Sequence, residues 1–374
     1  MKKKRSQIAF DYRPLESSYA SRGVGTVVWN ILQRLAYSSI AKDVVLFGGE
    51  NHKPVFSEFT YKKIYRPQCR EWIWEQLLWP FDLAFSSCSI FHSTVSLGPL
   101  RSMALPLLSP VKTIATIYDL NSLKCADLSP IETRSFFRVQ AKALKKVAAI
   151  LTISDYVKRD IVEYLDVDEH KVFVLPLGVD QRIKSVYDSG MQSGNQNITP
   201  YILAMGETAN KNIETVIRVF QRVAGLGYNG ELRIVGSLDR QVLSVKKLCT
   251  SSPFSDRIRF FCDIDTETLV KMYSQCDLFL FPSICEGFGF PVIEALYCRV
   301  PVICSRNTGL EEAGGDAVLY RDCGDVEGLA IDCLKVADNK LFKVELSKKG
   351  RAHAELKTWD QTERVIVDLY NSLR

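Results

Sequence analysis

The chain is poor in histidine, with four in 374 residues (His52, His92, His170 and His353), and none of its eleven cysteines forms a C-x-x-C pair. That scarcity excludes the common structural zinc sites and the thioredoxin-type redox motif. No run reaches the roughly 18 consecutive apolar residues of a membrane span, and Lys2-Lys3-Lys4-Arg5 is not followed by the apolar core of a signal peptide. A cytoplasmic protein with reduced, mostly buried thiols is expected, since Cys262, Cys276, Cys304 and Cys333 lie in apolar runs. Cys285 has no histidine near it in sequence and reads as a small buried residue rather than a nucleophile. The Gly23-Val24-Gly25 pair lacks the third glycine of a dinucleotide fingerprint, which argues against a nicotinamide oxidoreductase.

What the chain has is enough apolar material for more than one core. With 47% hydrophobic residues and a length beyond the range of a single growing core, two domains are expected. Short β-branched runs alternate with longer helical stretches. QIAFDY (7–12), DVVLF (43–47), SSCSIFH (86–92), KTIATIYD (112–119), AAILTIS (148–154) and KVFVLP (171–176) read as strands, and TVVWNILQRLA (26–36) as a helix. After residue 200 the cycle restarts with YILAMG (201–206), a helix from about Ile213 to Ala224, ELRIVG, RIRFF, DLFLF and PVIC. The fold class is α/β, with two Rossmann-like, doubly wound domains. Boundaries are set at 1–180 for the first domain, 181–199 for a Ser-, Gly- and Asn-rich linker and 200–355 for the second domain. An amphipathic terminal helix follows at 356–374.

The net charge of +5 is uneven: residues 1–180 hold 24 Lys+Arg against 18 Asp+Glu, and the remainder is nearly balanced. Within the basic part, REWIWEQLLWPF (70–81) carries three tryptophans. Two readings stay open, an amphipathic element at an anionic membrane surface and a helix buried in the core. No nucleic-acid partner is expected.

The most informative stretch is FPSICEGFGFPVIEALYCRVPVICSRNTGLEEAGGDA, residues 281–317. Glu286 stands on a turn with Gly287, Phe288 and Gly289, where backbone N–H groups can approach a ligand. Pro291 suits the first position of a helix, and Glu294 is expected in that helix's first turn. Two carboxylates beside a positive helix end offer acceptors for sugar hydroxyls and donors for a diphosphate.

These residues resemble the retaining glycosyltransferases of family four (glycosyl transferases group 1, Glu-x7-Glu motif), which have the GT-B architecture of two Rossmann-like domains facing a central cleft. Pro-Ser, Glu-Gly-Phe-Gly-x-Pro, the second Glu, x-Pro-Val and the later Glu with Gly-Asp-Ala are all present, while Arg299 stands where the family has glycine. The resemblance implies that a hexose-type sugar moves from a nucleoside diphosphate sugar to an acceptor hydroxyl in polysaccharide, lipopolysaccharide or other glycan assembly. It implies no cofactor and no metal, and it carries the terminal helix back to the first domain.

Residue by residue, the resemblance gives Glu294 the ribose hydroxyls, Glu286 the donor sugar, and Lys211 the departing diphosphate. The backbone of Gly287, Phe288 and Gly289 joins the donor site, as does Glu312. Gly23 and Gly25, with Arg22, contribute phosphate or acceptor contacts. Tyr118-Asp119 occupies the family's His-Asp position. A phenol there can hydrogen-bond but cannot carry a proton near neutral pH as imidazole does; Asp119 suits an acceptor hydroxyl or a turn. Many members have arginine where Glu207 appears. Expected partners are the nucleotide sugar, a glycan or lipid-linked acceptor, and peripheral contact with an anionic membrane at the inner face of the cytoplasmic membrane. A nucleotide-sugar epimerase, a sugar phosphorylase and a non-catalytic partner of the same fold remain as alternatives.

Overall fold

The computed structural model describes residues 6–17, 20, 23–48, 56–63, 74–94, 105–124, 141–190 and 199–374. Two compact units share the chain, Met1–Leu177 with Thr358–Arg374, and Gly178–Lys357.

The first unit is built on seven parallel strands: β1 Gln7–Asp11, β2 Val44–Gly48, β3 Thr60–Lys63, β4 Cys88–Ser93, β5 Lys112–Ile117, β6 Ala149–Thr152 and β7 Val172–Val174, in the order β3-β2-β1-β4-β5-β6-β7. Strands such as IAF and AILT are buried throughout, which is why they read as continuous apolar runs. The edge strand β3 has the sequence TYKK, and its lysines hid it from a hydrophobic search while protecting an exposed edge. Trp79 is fully buried against Phe91, their rings 5.0 Å apart, in a cluster with Ala9, Val45 and Phe47.

The C-terminal helix Asp360–Leu373 belongs to this unit. Its buried Tyr370 hydroxyl lies 2.5 Å from Nδ1 of His92, whose Nε2 lies 2.7 Å from Thr116 Oγ1. Burial drives the His92 pKa down to about 3, so the imidazole is neutral and serves as a hydrogen-bonded strut.

The second unit has six parallel strands: β8 Tyr201–Met205, β9 Glu231–Val235, β10 Ile258–Phe261, β11 Leu278–Phe281, β12 Val302–Ser305 and β13 Leu319–Arg321. Their order is β10-β9-β8-β11-β12-β13. The amphipathic helix Ile213–Gly225 buries Val216, Ile217, Phe220 and Val223 against this sheet's core.

The linker expected at 181–199 is corrected. Residues Gln181–Asp188 form a helix of the second unit, capped by Asp180, whose carboxylate accepts the N–H of Arg182 at 2.9 Å. Ile183 and Tyr187, four residues apart, supply its buried face, and Tyr297 donates to Asp188 at 2.8 Å. A polar composition concealed a narrow apolar stripe; residues 191–198 lie outside the described residues.

Candidate active site

In an open parallel sheet, ligands bind beyond the carboxyl ends of the strands where the strand order reverses. In the second unit that point lies between β8 and β11. The chain leaving β8 turns at Gly206, with φ +151°, where an added Cβ would stand 2.3 Å from that of Lys211. Only glycine lets Lys211 fold back over the strand end. Lys211 Nζ then meets Glu286 Oε1, from the turn after β11, at 2.5 Å.

The two turns are laced together. Ile284 donates its N–H to the Asn210 carbonyl at 2.7 Å, and Asn210 Nδ2 donates to the Cys285 carbonyl at 3.1 Å. Asn212, at φ +57°, gives both Nδ2 protons to the carbonyls of Pro282 and Cys323. Asparagine is among the few residues that tolerate this left-handed backbone. Ser283 Oγ lies 2.6 Å from Glu286 Oε1 and 2.7 Å from the Asn210 carbonyl. Sequence reasoning passed over Ser283, Asn210 and Asn212 as catalytic-site supports, although each adjoins a motif residue.

The turn beyond Glu286 is also fixed. Gly309 donates to the Glu286 carbonyl at 2.9 Å, and Gly289, at φ +102°, has no room for a Cβ beside Leu310. Gly289 caps the helix Phe290–Tyr297, so Pro291 is its second residue and Glu294 its fifth. Glu294 therefore sits in the second turn, not the first, because the helix starts at Phe290. Phe288 is buried edge-on to Phe290, which leaves only its backbone suited to a ligand. Glu312 is half-buried in the short helix Leu310–Gly314.

The two motif carboxylates differ in electrostatics. Glu286 has its lysine. Glu294 is buried with the Tyr273 hydroxyl at 3.4 Å, and burial, reinforced by the charge of Asp180, pushes its pKa up to about 8. Arg182 opposes that shift but is itself paired with Asp180 through Nη2 at 2.6 Å. Asp180 stands 114 positions before Glu294, and nothing in the sequence signalled the connection.

Glu207, at the position where the resemblance has arginine, accepts the Ser237 N–H at 2.9 Å and pairs with Arg240 at 3.1 Å. The carboxylate is turned toward the loop after β9 and holds a cation there. Arg299, in place of the family glycine, has φ +62°, the left-handed geometry that explains a glycine preference.

The first unit places its predicted residues separately. Gly23 through Thr26 form the first turn of the helix Gly23–Leu35 rather than a loop before it, because the helix starts three residues early. Arg22 lies outside the described residues. Tyr118 follows β5 with its hydroxyl buried and without a hydrogen-bond partner among the described residues, and burial beside Asp11 raises its pKa far above the phenol range. Asp119 accepts the Asn121 N–H at 3.0 Å and shapes the turn.

Eight cysteines are free thiols among the described residues, six of them buried. Cys285 is buried, as expected of a small core residue rather than a nucleophile. Two Asp-x-Asp spacings do structural work: Asp168 and Asp265 cap the elements that follow them, while Asp166 pairs with Lys145. Among the described residues, no three His, Cys, Asp or Glu side chains are arranged to hold a metal ion.

Residues 191–353 match the family model described as glycosyl transferases group 1, and residues 21–182 match glycosyltransferase family 4. The O-antigen chain mannosyltransferase B of Escherichia coli is 24% identical over 271 residues, 70% of this chain and 71% of that protein. The chain spans only 34% of the longer Escherichia coli mannosyltransferase WbdA. Among solved structures, sucrose-phosphate synthase from Thermosynechococcus elongatus superposes with a TM-score of 0.74 at 18% identity, covering 99% of both chains. Anabaena HepE, solved with UDP and glucose, gives 0.72 at 12% identity over 98% of this chain and 100% of that one.

Proposed function

From the premise that the chain belongs to the group 1 and family 4 glycosyltransferases, we propose that it transfers a hexose from a nucleoside diphosphate sugar to an acceptor hydroxyl, with retention and without a metal. The observation that carries this reading is the meeting of Lys211 and Glu286 at the strand-order reversal of the second unit. Without donor, each group neutralises the other. A bound donor would divide the pair: its diphosphate takes the ammonium, and its sugar hydroxyls take the carboxylate. Lys211 would then face the negative charge that grows as the glycosidic bond breaks, held in place before the reaction begins.

Glu294 would receive the ribose hydroxyls, with the Gly287–Gly289 backbone beside the donor. Attack on the same face as the departing phosphate, whose oxygen takes the acceptor proton, accounts for retention without a protein nucleophile. Relatives named as O-antigen mannosyltransferases favour mannose as the sugar and a surface polysaccharide as the product. The basic first half favours an acceptor presented at an anionic membrane face, with the enzyme attached peripherally. No helix among the described residues is long and apolar enough to cross a membrane.

A thermal-shift screen against UDP, GDP, dTDP and ADP and their sugar conjugates, with and without chelator, tests the donor. A selective shift that chelator leaves intact, followed by proton NMR showing the donor's anomeric configuration in the product, is the expected result. An inverted product, or a shift abolished by chelator, would overturn the mechanism.

A further inference from the structure

Of the segment 70–81 read as either a membrane element or a core helix, residues 70–73 lie outside the described residues, and the described part divides between the two. Over the helical residues Trp74–Leu78 and Trp79–Ala84, Trp79 and Leu83 are completely buried. On the other side Leu77, Phe81 and Phe85 recur every four residues and are 64%, 61% and 77% exposed. The Phe81 and Phe85 rings lie 4.5 Å apart in a tilted pair that faces solvent. Gln76 extends the surface: its side chain accepts the Leu107 N–H at 2.8 Å and donates to the Leu105 carbonyl at 3.0 Å, which fixes the strand of chain leading to the exposed Leu108. An apolar stripe of this kind on a water-soluble face marks an interaction site.

Charge identifies the occupant. Residues 1–150, which contain the stripe, hold 21 Lys+Arg against 11 Asp+Glu, while residues 151–374 hold 27 against 32. Lys62, on the edge strand β3, reaches to 3.5 Å from the Asp82 carbonyl on the same helical segment, so a cation borders the stripe. Glu75 and Asp82 are the acidic residues of the helical stretch 74–84. An apolar stripe bordered by Lys62, within the more basic part of the sequence, suits an anionic bilayer, where rings enter the acyl boundary and cations meet headgroups.

We infer that the stripe Leu77, Phe81 and Phe85, with Leu108 and Lys62 beside it, is the surface by which this protein seats on an anionic lipid bilayer. This inference rests on the membrane-face reading above and names the residues that perform it. The stripe, not the buried Trp79, carries insertion, and the net positive charge of this part of the chain sets the salt dependence.

Sedimentation with vesicles of phosphatidylcholine alone and of an equal mixture with phosphatidylglycerol tests it. The protein is expected to bind the mixed vesicles at low salt, weaken as salt screens the charge, and lose about tenfold or more in the Phe81→Ser/Phe85→Ser variant. Leu341→Ser, at an equally exposed apolar residue of the second unit, should leave binding unchanged. The nucleotide-induced thermal shift must persist in each variant as the check on folding, and Phe85→Glu alone replaces the double variant if it fails that check. Undiminished binding by the stripe variants would overturn this surface while leaving the membrane reading intact. No binding by the unsubstituted protein would overturn both. A dimer in solution that the stripe variant dissolves would assign the surface to a second copy of the chain instead.

Discussion

The two units have the same kind of sheet and the same reversal of strand order, yet they treat polar groups at the reversal in opposite ways. In the second unit, between β8 and β11, Lys211 and Glu286 face each other from two turns laced by backbone and asparagine hydrogen bonds, with Lys211 a quarter exposed. In the first unit, between β1 and β4, Asp11 is fully buried and clamped by Arg13 through Nε at 2.9 Å and Nη2 at 2.8 Å. That guanidinium lies 4.2 Å over the Trp79 ring, and His92 nearby is neutral. One reversal leaves its charges partly exposed. The other ties them into the core, where removing a partner would strand a charge. A shared fold thus fixes where a site can be, and the loop residues decide whether it is one.

The sharpest way to break the comparison is to remove the exchangeable pair. Lys211→Ala and Glu286→Gln should each lower kcat by about 10²–10³-fold with the nucleotide-induced thermal shift reduced but the fold kept; steady-state kinetics near wild type would dissolve the distinction between the two reversals. Arg13→Ala should act differently, costing about 3–5 kcal/mol of stability by leaving Asp11 buried and unpaired, as read by denaturant unfolding.

Glu294 sharpens the comparison within the second unit. Its folded pKa, near 8, lies above the ordinary 4.5, so the unfolded chain ionises first as pH rises. The stabilising contribution is complete below about pH 4.5 and is lost by about pH 8. Glu294→Gln should therefore stabilise the donor-free protein at pH 8, by on the order of 2 kcal/mol, while weakening nucleotide binding at least about tenfold. Calorimetric titration in buffers of different ionisation enthalpy should show a proton released when nucleotide binds at pH 7. No proton release would remove Glu294 from the ribose site.

Tyr118 offers a smaller effect of opposite sign in the two assays. Its buried hydroxyl has no partner among the described residues, so Tyr118→Phe should raise stability by about 1 kcal/mol and lower kcat/KM if substrate supplies the missing partner. A stability gain with unchanged kcat/KM would make the position purely structural. The smallest change is Arg299→Gly, which relieves the left-handed backbone but gives up the Arg299 hydrogen bond to Tyr187, and should raise stability by less than about 1 kcal/mol without altering turnover.

Most strands and the two Rossmann-like domains were legible because buried parallel strands must be continuously apolar, a property that survives in sequences such as AILT and LFLF, whereas the strand order was not. The polar edge strand β3 and the helix Gln181–Asp188 were not, since an edge strand and a surface helix need only a few apolar positions. The motif turn was legible for a local reason: glycine at Gly289 and the two glutamates answer backbone and ligand requirements within a dozen residues. Sequence alone thus determined the fold class and the family, and it singled out Lys211, Glu286 and Glu294 as candidate site residues. Only the tertiary structure decided that Glu286 pairs with Lys211 from 75 positions away, that burial, with Asp180 adding to it, makes Glu294 a reluctant acid, and that Trp79 is core while Phe81 and Phe85 face solvent. Those outcomes depend on desolvation and on distances between segments remote in the chain, and neither quantity exists until the sheet has assembled.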